Sequence, residues 1–160
     1  MSDYYAPSGG LPPQTALHTG RAVCTEAYCV IPRGCFSDIV TSYLPGWAKT
    51  KAWLIARPMS GFSETFSQYV MEVEPGGGSE APEPDTGAEG VIFVTGGEIW
   101  LRLGDKEHDL GPGGYAYVAP GTDWQVHNGT DHPARFHWVR KLYEPAPGIA
   151  TPACFVTSDQ

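Results

Sequence analysis

The chain has 160 residues and a formal net charge of −8, a length that suits one compact domain with a buried core. Its 10 Lys and Arg residues are outnumbered by 18 Asp and Glu residues and are scattered along the chain. Because phosphate binding needs clustered cations, this composition argues against a nucleic-acid partner. No apolar run approaches the length of a membrane-spanning segment, so we expect no membrane partner either.

Glycine and proline divide the chain into short segments, with 20 of the former and 15 of the latter. Residues 1–20 are rich in Gly, Pro and Ser and are predicted to form an N-terminal arm. No later stretch of ten or more residues has helical periodicity, so an all-β sandwich or barrel is predicted. The predicted strands are Tyr28–Ile31, Asp38–Leu44, Lys51–Arg57, Phe66–Glu74, Val91–Val94, Glu98–Leu103, Lys106–Leu110, Tyr115–Val118, Trp124–Asn128 and Arg135–Tyr143.

Alternation within three of these strands predicts which side chains face the core. Apolar and polar residues alternate there with a period of two, as in a strand with one buried face. The predicted inward-facing residues are Tyr69, Met71, Val73, Ile99, Leu101, Leu103, Phe136, Trp138 and Leu142.

The tail differs in character from the rest of the chain. Residues 144–160 contain several prolines and are predicted to be a linker or the start of a missing second cupin, with Phe155–Thr157 as the beginning of one more strand. We therefore place the globular domain at residues 21–143. The four cysteines form no CxxC pair, and the first residues lack the features of a signal peptide, which predicts a cytoplasmic protein with reduced thiols.

Two stretches resemble the signature motifs of cupins. The first runs from Gly77 to Gly96, and the second from Gly113 through the Pro120-Gly121 turn to Asn128. This spacing implies a double-stranded jelly-roll β-barrel, the RmlC-like cupin fold. At the four usual metal-ligand positions this chain has Glu83, Asp85, Glu89 and Trp124, or Pro82 and Pro84 in an alternative register of the first motif. Only the third is the residue usual in cupins, so the inner metal site is expected to be lost.

The ordered series of segments resembles the N-terminal half of (S)-ureidoglycine aminohydrolases. The segments are Tyr43–Trp47, Gln68–Glu74, Glu89–Gly97, Gly114–Gly121, Lys141–Pro145 and Phe155–Thr157. That family is bicupin, and it releases ammonia from (S)-ureidoglycine to give (S)-ureidoglycolate during allantoin and purine breakdown. The resemblance implies no metal in this domain, and Mn²⁺ held by Glu, His and Gln in a second cupin. The implied partners are that second cupin or further copies of the chain, and a small ureido compound.

The acidic segment 72–89 contains no Lys or Arg and has two interpretations. Glu83, Asp85 and Glu89 could form an oxygen-only site for Mg²⁺, Ca²⁺ or Mn²⁺. Alternatively, the segment is a solvated loop, which is the usual state of a run of like charges.

Glu89 is the candidate catalytic residue, because it precedes an apolar strand and is expected to point into or near the barrel mouth. A partly buried carboxylate there would have a raised pKa and could act as an acid or base. The alternative is an ion pair with Arg102 or Arg135. Trp124 is expected either to fill the barrel or to stack on a ligand.

Two further groups of residues are candidates for a binding site. Tyr117 and Arg102 are candidate pocket residues beside Glu89 and Trp124. His127, His132 and His137 could form a three-histidine metal site, although their spacing does not match cupin ligands.

Two functions follow as hypotheses. The first is the N-terminal cupin of a ureidoglycine aminohydrolase, with little activity as this chain alone. The second is a non-catalytic, metal-free cupin that binds a small molecule or a protein partner.

Overall fold

A computed structural model describes residues 23–25, 28–31, 44–56 and 65–158. Eleven strands lie in this part of the chain: β1 (Val23–Cys24), β2 (Cys29–Val30), β3 (Trp47–Ala56), β4 (Ser67–Ser79), β5 (Ala88–Gly96), β6 (Ile99–Leu103), β7 (Lys106–Leu110), β8 (Tyr115–Val118), β9 (Trp124–His127), β10 (Ala134–Leu142) and β11 (Phe155–Thr157). In the described part of the chain, no helix has the length and apolar character needed to cross a lipid bilayer.

The chain divides into two compact units, Met1–Val40 and Thr41–Gln160. In the first unit, β1 and β2 form a short antiparallel hairpin that pairs Val23 with Val30. Its turn is closed by Thr25, whose amide donates to the Tyr28 carbonyl at 2.7 Å. The predicted arm 1–20 and nearly all of the predicted strand Asp38–Leu44 lie outside the described residues.

The second unit is a nine-stranded antiparallel sheet that curls into a nearly closed jelly-roll barrel, as the motif spacing predicted. The strand order is β11-β8-β5-β10-β4-β9-β6-β7, with β3 paired to the other side of β4. The tail strand β11 pairs with β8 of this same sheet.

Alternating side chains fill the barrel interior. Eight of the nine predicted inward-facing residues lie in the core or pack against it, and Met71, Val73, Leu101 and Phe136 are completely buried. Leu142 contradicts the prediction, since 60% of it is exposed. It is the last residue of β10, where the strand extends past the core, so alternation alone does not bury it.

Glu72 was predicted to face outward with Gln68 and Glu74, yet its side chain is only 10% exposed. Lys51 Nζ lies 2.9 Å and Arg135 Nη2 lies 2.7 Å from its carboxylate. Burial alone would raise the pKa of Glu72, but hydrogen bonds from these two cations outweigh it and lower the pKa. Glu72 thus joins β3, β4 and β10 on the outer face of the sheet.

β4 runs five residues beyond its predicted end at Glu74, to Ser79, because backbone pairing continues through glycines that offer no hydrophobic pattern. Gly78 has a φ of +138° and pairs with His127 of β9. A Cβ atom there would lie 2.0 Å from the Val126 carbonyl oxygen. Only glycine permits this close approach between the two strands.

Candidate functional site at the barrel mouth

A cleft of about 230 Å³ opens at one end of the barrel, where the two motif loops meet. Residues 81–88 supply one wall and residues 118–124 the other. Of the four ligand positions of the cupin motifs, Glu83, Asp85 and Trp124 line this cleft. This cleft is therefore the candidate binding site of the domain.

An ion pair between Glu83 and Arg140 occupies the inner end of the first motif. Arg140 Nη2 donates to Glu83 Oε1 at 2.6 Å, and Nε donates to the second carboxylate oxygen. The Glu83 side chain is 9% exposed and that of Arg140 26%. Glu83 is thus neither a cation ligand nor a solvated loop residue, because a two-point ion pair already uses both of its oxygens.

Arg140 reaches the mouth because it shares the inward face of β10 with Phe136 and Trp138. Its guanidinium carbon lies 5.7 Å from the centre of the Trp138 ring, a cation–π distance. Arg140 was not among the predicted site residues. Its position two residues after Trp138 on an alternating strand was the available signal.

Aromatic rings fill the barrel beneath this ion pair. Trp138 contacts Trp124 edge-to-face at 5.9 Å, Tyr69 at 5.5 Å and Trp47 at 5.7 Å between ring centroids. Trp124 is 3% exposed, so it packs inside the barrel and has little surface on which a ligand could stack. Trp47 also donates from Nε1 to the Pro82 carbonyl at 3.3 Å, which ties the cluster to the motif-one loop.

Asp85 shapes the motif-one loop. Its amide donates to Glu83 Oε1 at 3.0 Å, and its Oδ1 accepts the Gly87 amide at 2.9 Å. The side chain is exposed at the rim of the cleft. Asp85 therefore closes a turn locally.

Glu89 was expected to point into or near the barrel mouth, and it lies on the opposite side of β5 from the core, so its side chain does not enter the barrel. Its neighbours Ala88 and Gly90 face inward, so the alternation of β5 turns Glu89 outward. Tyr117 Oη donates to Glu89 Oε2 at 2.7 Å, and Lys141 Nζ lies 3.8 Å from Oε1. Burial, followed by the bond to Glu89, raises the pKa of Tyr117 well above its usual range. Neither Tyr117 nor Glu89 lines the mouth cleft.

The two arginines proposed as partners of Glu89 are bound elsewhere. Arg102 donates to the Gly104 carbonyl at 2.7 Å and to Asp123 Oδ2 at 3.1 Å, so it braces the end of the motif-two loop. Arg135 pairs with Glu72.

The three candidate histidines do not form a common site. His127 lies 2.9 Å from Glu80 and 5.7 Å from the Trp100 ring. His137 lies 3.2 Å from Gln68, and His132 is exposed beside Asp131. Each of them has its own surroundings.

The donor set of the barrel does not fit a metal site at the four ligand positions of the cupin motifs. Within residues 23–25, 28–31, 44–56 and 65–158, no three His, Cys, Asp or Glu side chains come together as a metal site. At the motif positions, Glu83 binds Arg140, Glu89 points away, and Trp124 has no ligating atom. These motif residues therefore do not provide the ligands for a metal-dependent step.

The comparisons with known proteins agree with the fold. The family model described as Cupin domain matches residues 69–140. A crystal structure of a glyoxylate-induced protein from Pseudomonas aeruginosa is 51% identical, covering 99% of this chain and 57% of that one, with a TM-score of 0.80. The structure of Escherichia coli YlbA, at 21% identity and a TM-score of 0.78 over 92% of this chain and 59% of that one, shows the same fold.

Sequence similarity extends to one enzyme of defined activity. The (S)-ureidoglycine aminohydrolase of Escherichia coli K12 is 26% identical over 112 residues, which are 70% of this chain and 42% of that enzyme. The chain thus spans about half the length of these three relatives. The barrel, the two motif loops and the matching family model together show that the chain contains a cupin domain.

Proposed function

We propose that this cupin domain is the metal-free half of an (S)-ureidoglycine aminohydrolase. The observation that carries the proposal is the 112-residue similarity to the E. coli enzyme of that name. The reaction replaces the amine of (S)-ureidoglycine by a hydroxyl from water, releasing ammonia and leaving (S)-ureidoglycolate. The chemistry would need a second, metal-bearing cupin, supplied as a further domain or by another protein.

The geometry of the barrel mouth supports a structural part for this domain in such an enzyme. The Glu83–Arg140 pair and the ring of Trp124 occupy the positions from which cupins bind a metal. A domain whose metal-binding positions are occupied by its own side chains can hold a neighbouring domain or subunit in place without contributing metal ligands. A second cupin or further copies of the chain, together with a small ureido substrate, are the partners that we propose.

The product of the proposed reaction gives a further point of support. Ureidoglycolate is a hemiaminal, and when it loses urea the remaining carbon skeleton is glyoxylate. The P. aeruginosa neighbour, 51% identical to this chain, is described as glyoxylate-induced. A cytoplasmic location and a homo-oligomeric state stay predictions from the sequence.

Ammonia release from freshly prepared ureidoglycine tests the proposal. The assay compares the 160-residue chain with the longest protein that its gene encodes, each with added Mn²⁺, and subtracts the spontaneous reaction. We expect the chain alone to stay near the spontaneous rate, because losing a metal's Lewis-acid and orienting effects costs roughly a thousandfold or more. The longer protein should release ammonia from ureidoglycine well above the spontaneous rate.

Two results would contradict the proposal. One is metal-dependent turnover by the 160-residue chain at the rate of a two-cupin enzyme. The other is a metal-loaded longer protein that leaves ureidoglycine untouched. In the second case, stabilisation of the chain by a small molecule in a thermal-shift screen would favour a binding module instead.

A further inference from the structure

The tail strand β11 is attached to the rest of the domain by backbone pairing and by side-chain packing. It pairs with β8 in antiparallel register, Phe155 opposite Tyr117 and Thr157 opposite Tyr115. Val156 and the preceding Cys154 pack against the hydrophobic core. Three residues of strand are thus held by more than their backbone hydrogen bonds.

Cys154 connects the tail to the motif-two wall of the mouth cleft. Its Sγ lies 3.2 Å from the amide nitrogen of Ala119, which donates to it, and 3.2 Å from Thr122 Oγ1. These two residues begin and end the Pro-Gly turn, and both line the cleft. Ala119 is only 9% exposed, so its amide has little access to water as an alternative partner.

Phe155 connects the tail to the motif-one wall. Its ring stacks on Tyr117 and on Tyr115, with centroid distances of 5.7 and 5.6 Å. The Tyr117 hydroxyl in turn donates to Glu89 at 2.7 Å. Glu89 adjoins Ala88, the last cleft-lining residue of the motif-one loop.

We propose that residues 154–157 form a strap that sets the shape of the mouth cleft. One end of the strap fixes the motif-two turn through Cys154, and its middle fixes the exit of the motif-one loop through Phe155, Tyr117 and Glu89. Lifting the strap therefore loosens both walls together, while the aromatic floor at Trp124 and Trp138 stays packed. Force or binding applied to the tail is transmitted to the cleft by these contacts. This inference does not depend on the proposed function.

Amide hydrogen exchange of the intact chain tests the strap. In Cys154→Ala, we expect the amides of Ala119, Gly121 and Thr122 to exchange roughly fivefold or more faster than in the parent, because the Ala119 amide loses its partner. Cys154→Ser keeps a small polar atom at the same position and should give an intermediate rate. Phe155→Ala should speed exchange at residues 88–90 and 117–119.

Two internal controls make the outcome decisive. Ile149→Ala changes an exposed tail residue outside the strap, 68% exposed, and should leave both walls unchanged. The Gly76 amide, which donates to the Asn128 carbonyl at 2.8 Å and belongs to neither wall of the cleft, reports global opening. Unchanged exchange at the motif-two turn in Cys154→Ala would overturn the proposal. So would an equal rise at the Gly76 amide, since that would mean general destabilisation.

Discussion

The ion pair at the barrel mouth should be measurable as a coupling energy between Glu83 and Arg140. Two unit charges about 4 Å apart attract by about 4 kcal/mol at an effective dielectric constant of about 20. Because the Arg140 side chain is 26% exposed, solvent reduces this attraction, and we expect a coupling of about 2 kcal/mol. Arg140→Met alone leaves a nearly buried carboxylate without its cation and should cost about 3 kcal/mol. That corresponds to a fall in Tm of about 6–12 °C for a domain of this size.

A double-mutant cycle separates the pair from its surroundings. Urea unfolding is measured for the parent, Glu83→Gln, Arg140→Met and the double variant, which should lose less than the sum of the two single losses. The matched control is the Arg102–Asp123 pair, whose carboxylate is 74% exposed and whose coupling should stay below about 1 kcal/mol. A Glu83–Arg140 coupling no larger than that of the control would refute the view that this pair has replaced a metal site as a structural element.

Three further predictions concern the frame around the mouth. Asn128→Ala should lower the free energy of unfolding by about 2–4 kcal/mol in urea titrations, because the Asn128 amide caps two backbone carbonyls at 2.8 and 2.7 Å; a loss below about 1 kcal/mol would contradict this. Gly78→Ala should prevent normal folding or lower Tm by more than about 10 °C, since its Cβ would lie 2.0 Å from the Val126 oxygen. Glu72→Gln should be less stable than the parent at pH 7. The lowered pKa of Glu72 means that its contribution is complete above the ordinary value of 4.5 and is lost as pH falls through the lower folded value. The difference between the two proteins should therefore shrink as unfolding is measured at progressively lower pH below 4.5, and a constant difference would argue against the ion pairs as its source.

Strand alternation made most of the barrel predictable. β6 shows this well, because Ile99, Leu101 and Leu103 alternate with polar residues and are all buried. The turn glycines and the spacing of the two motifs then selected a jelly roll among all-β folds. In front of β3, the predicted strand Tyr28–Ile31 contains β2, and nearly all of the predicted strand Asp38–Leu44 lies outside the described residues.

The site was harder to predict because charge was taken as a sign of solvent exposure. Glu89 precedes Val91–Val94, a run apolar on both faces, so periodicity gave no indication of which way the carboxylate points. Arg140 was not among the predicted site residues, although it continues the inward series of β10. Its partner Glu83 is 57 residues away in sequence, and only the closed barrel brings the two together.

The strand order leaves β7 and β11 at the two ends of the described sheet. Free strand edges are templates on which other chains can aggregate. β7 has the sequence Lys-Glu-His-Asp-Leu, of which only Leu110 is buried, so a second strand approaching it would have to accommodate ionised side chains of both signs. β11 is three residues long, too short to template an extended stack. Neither β7 nor β11 is therefore a good template for edge-to-edge association.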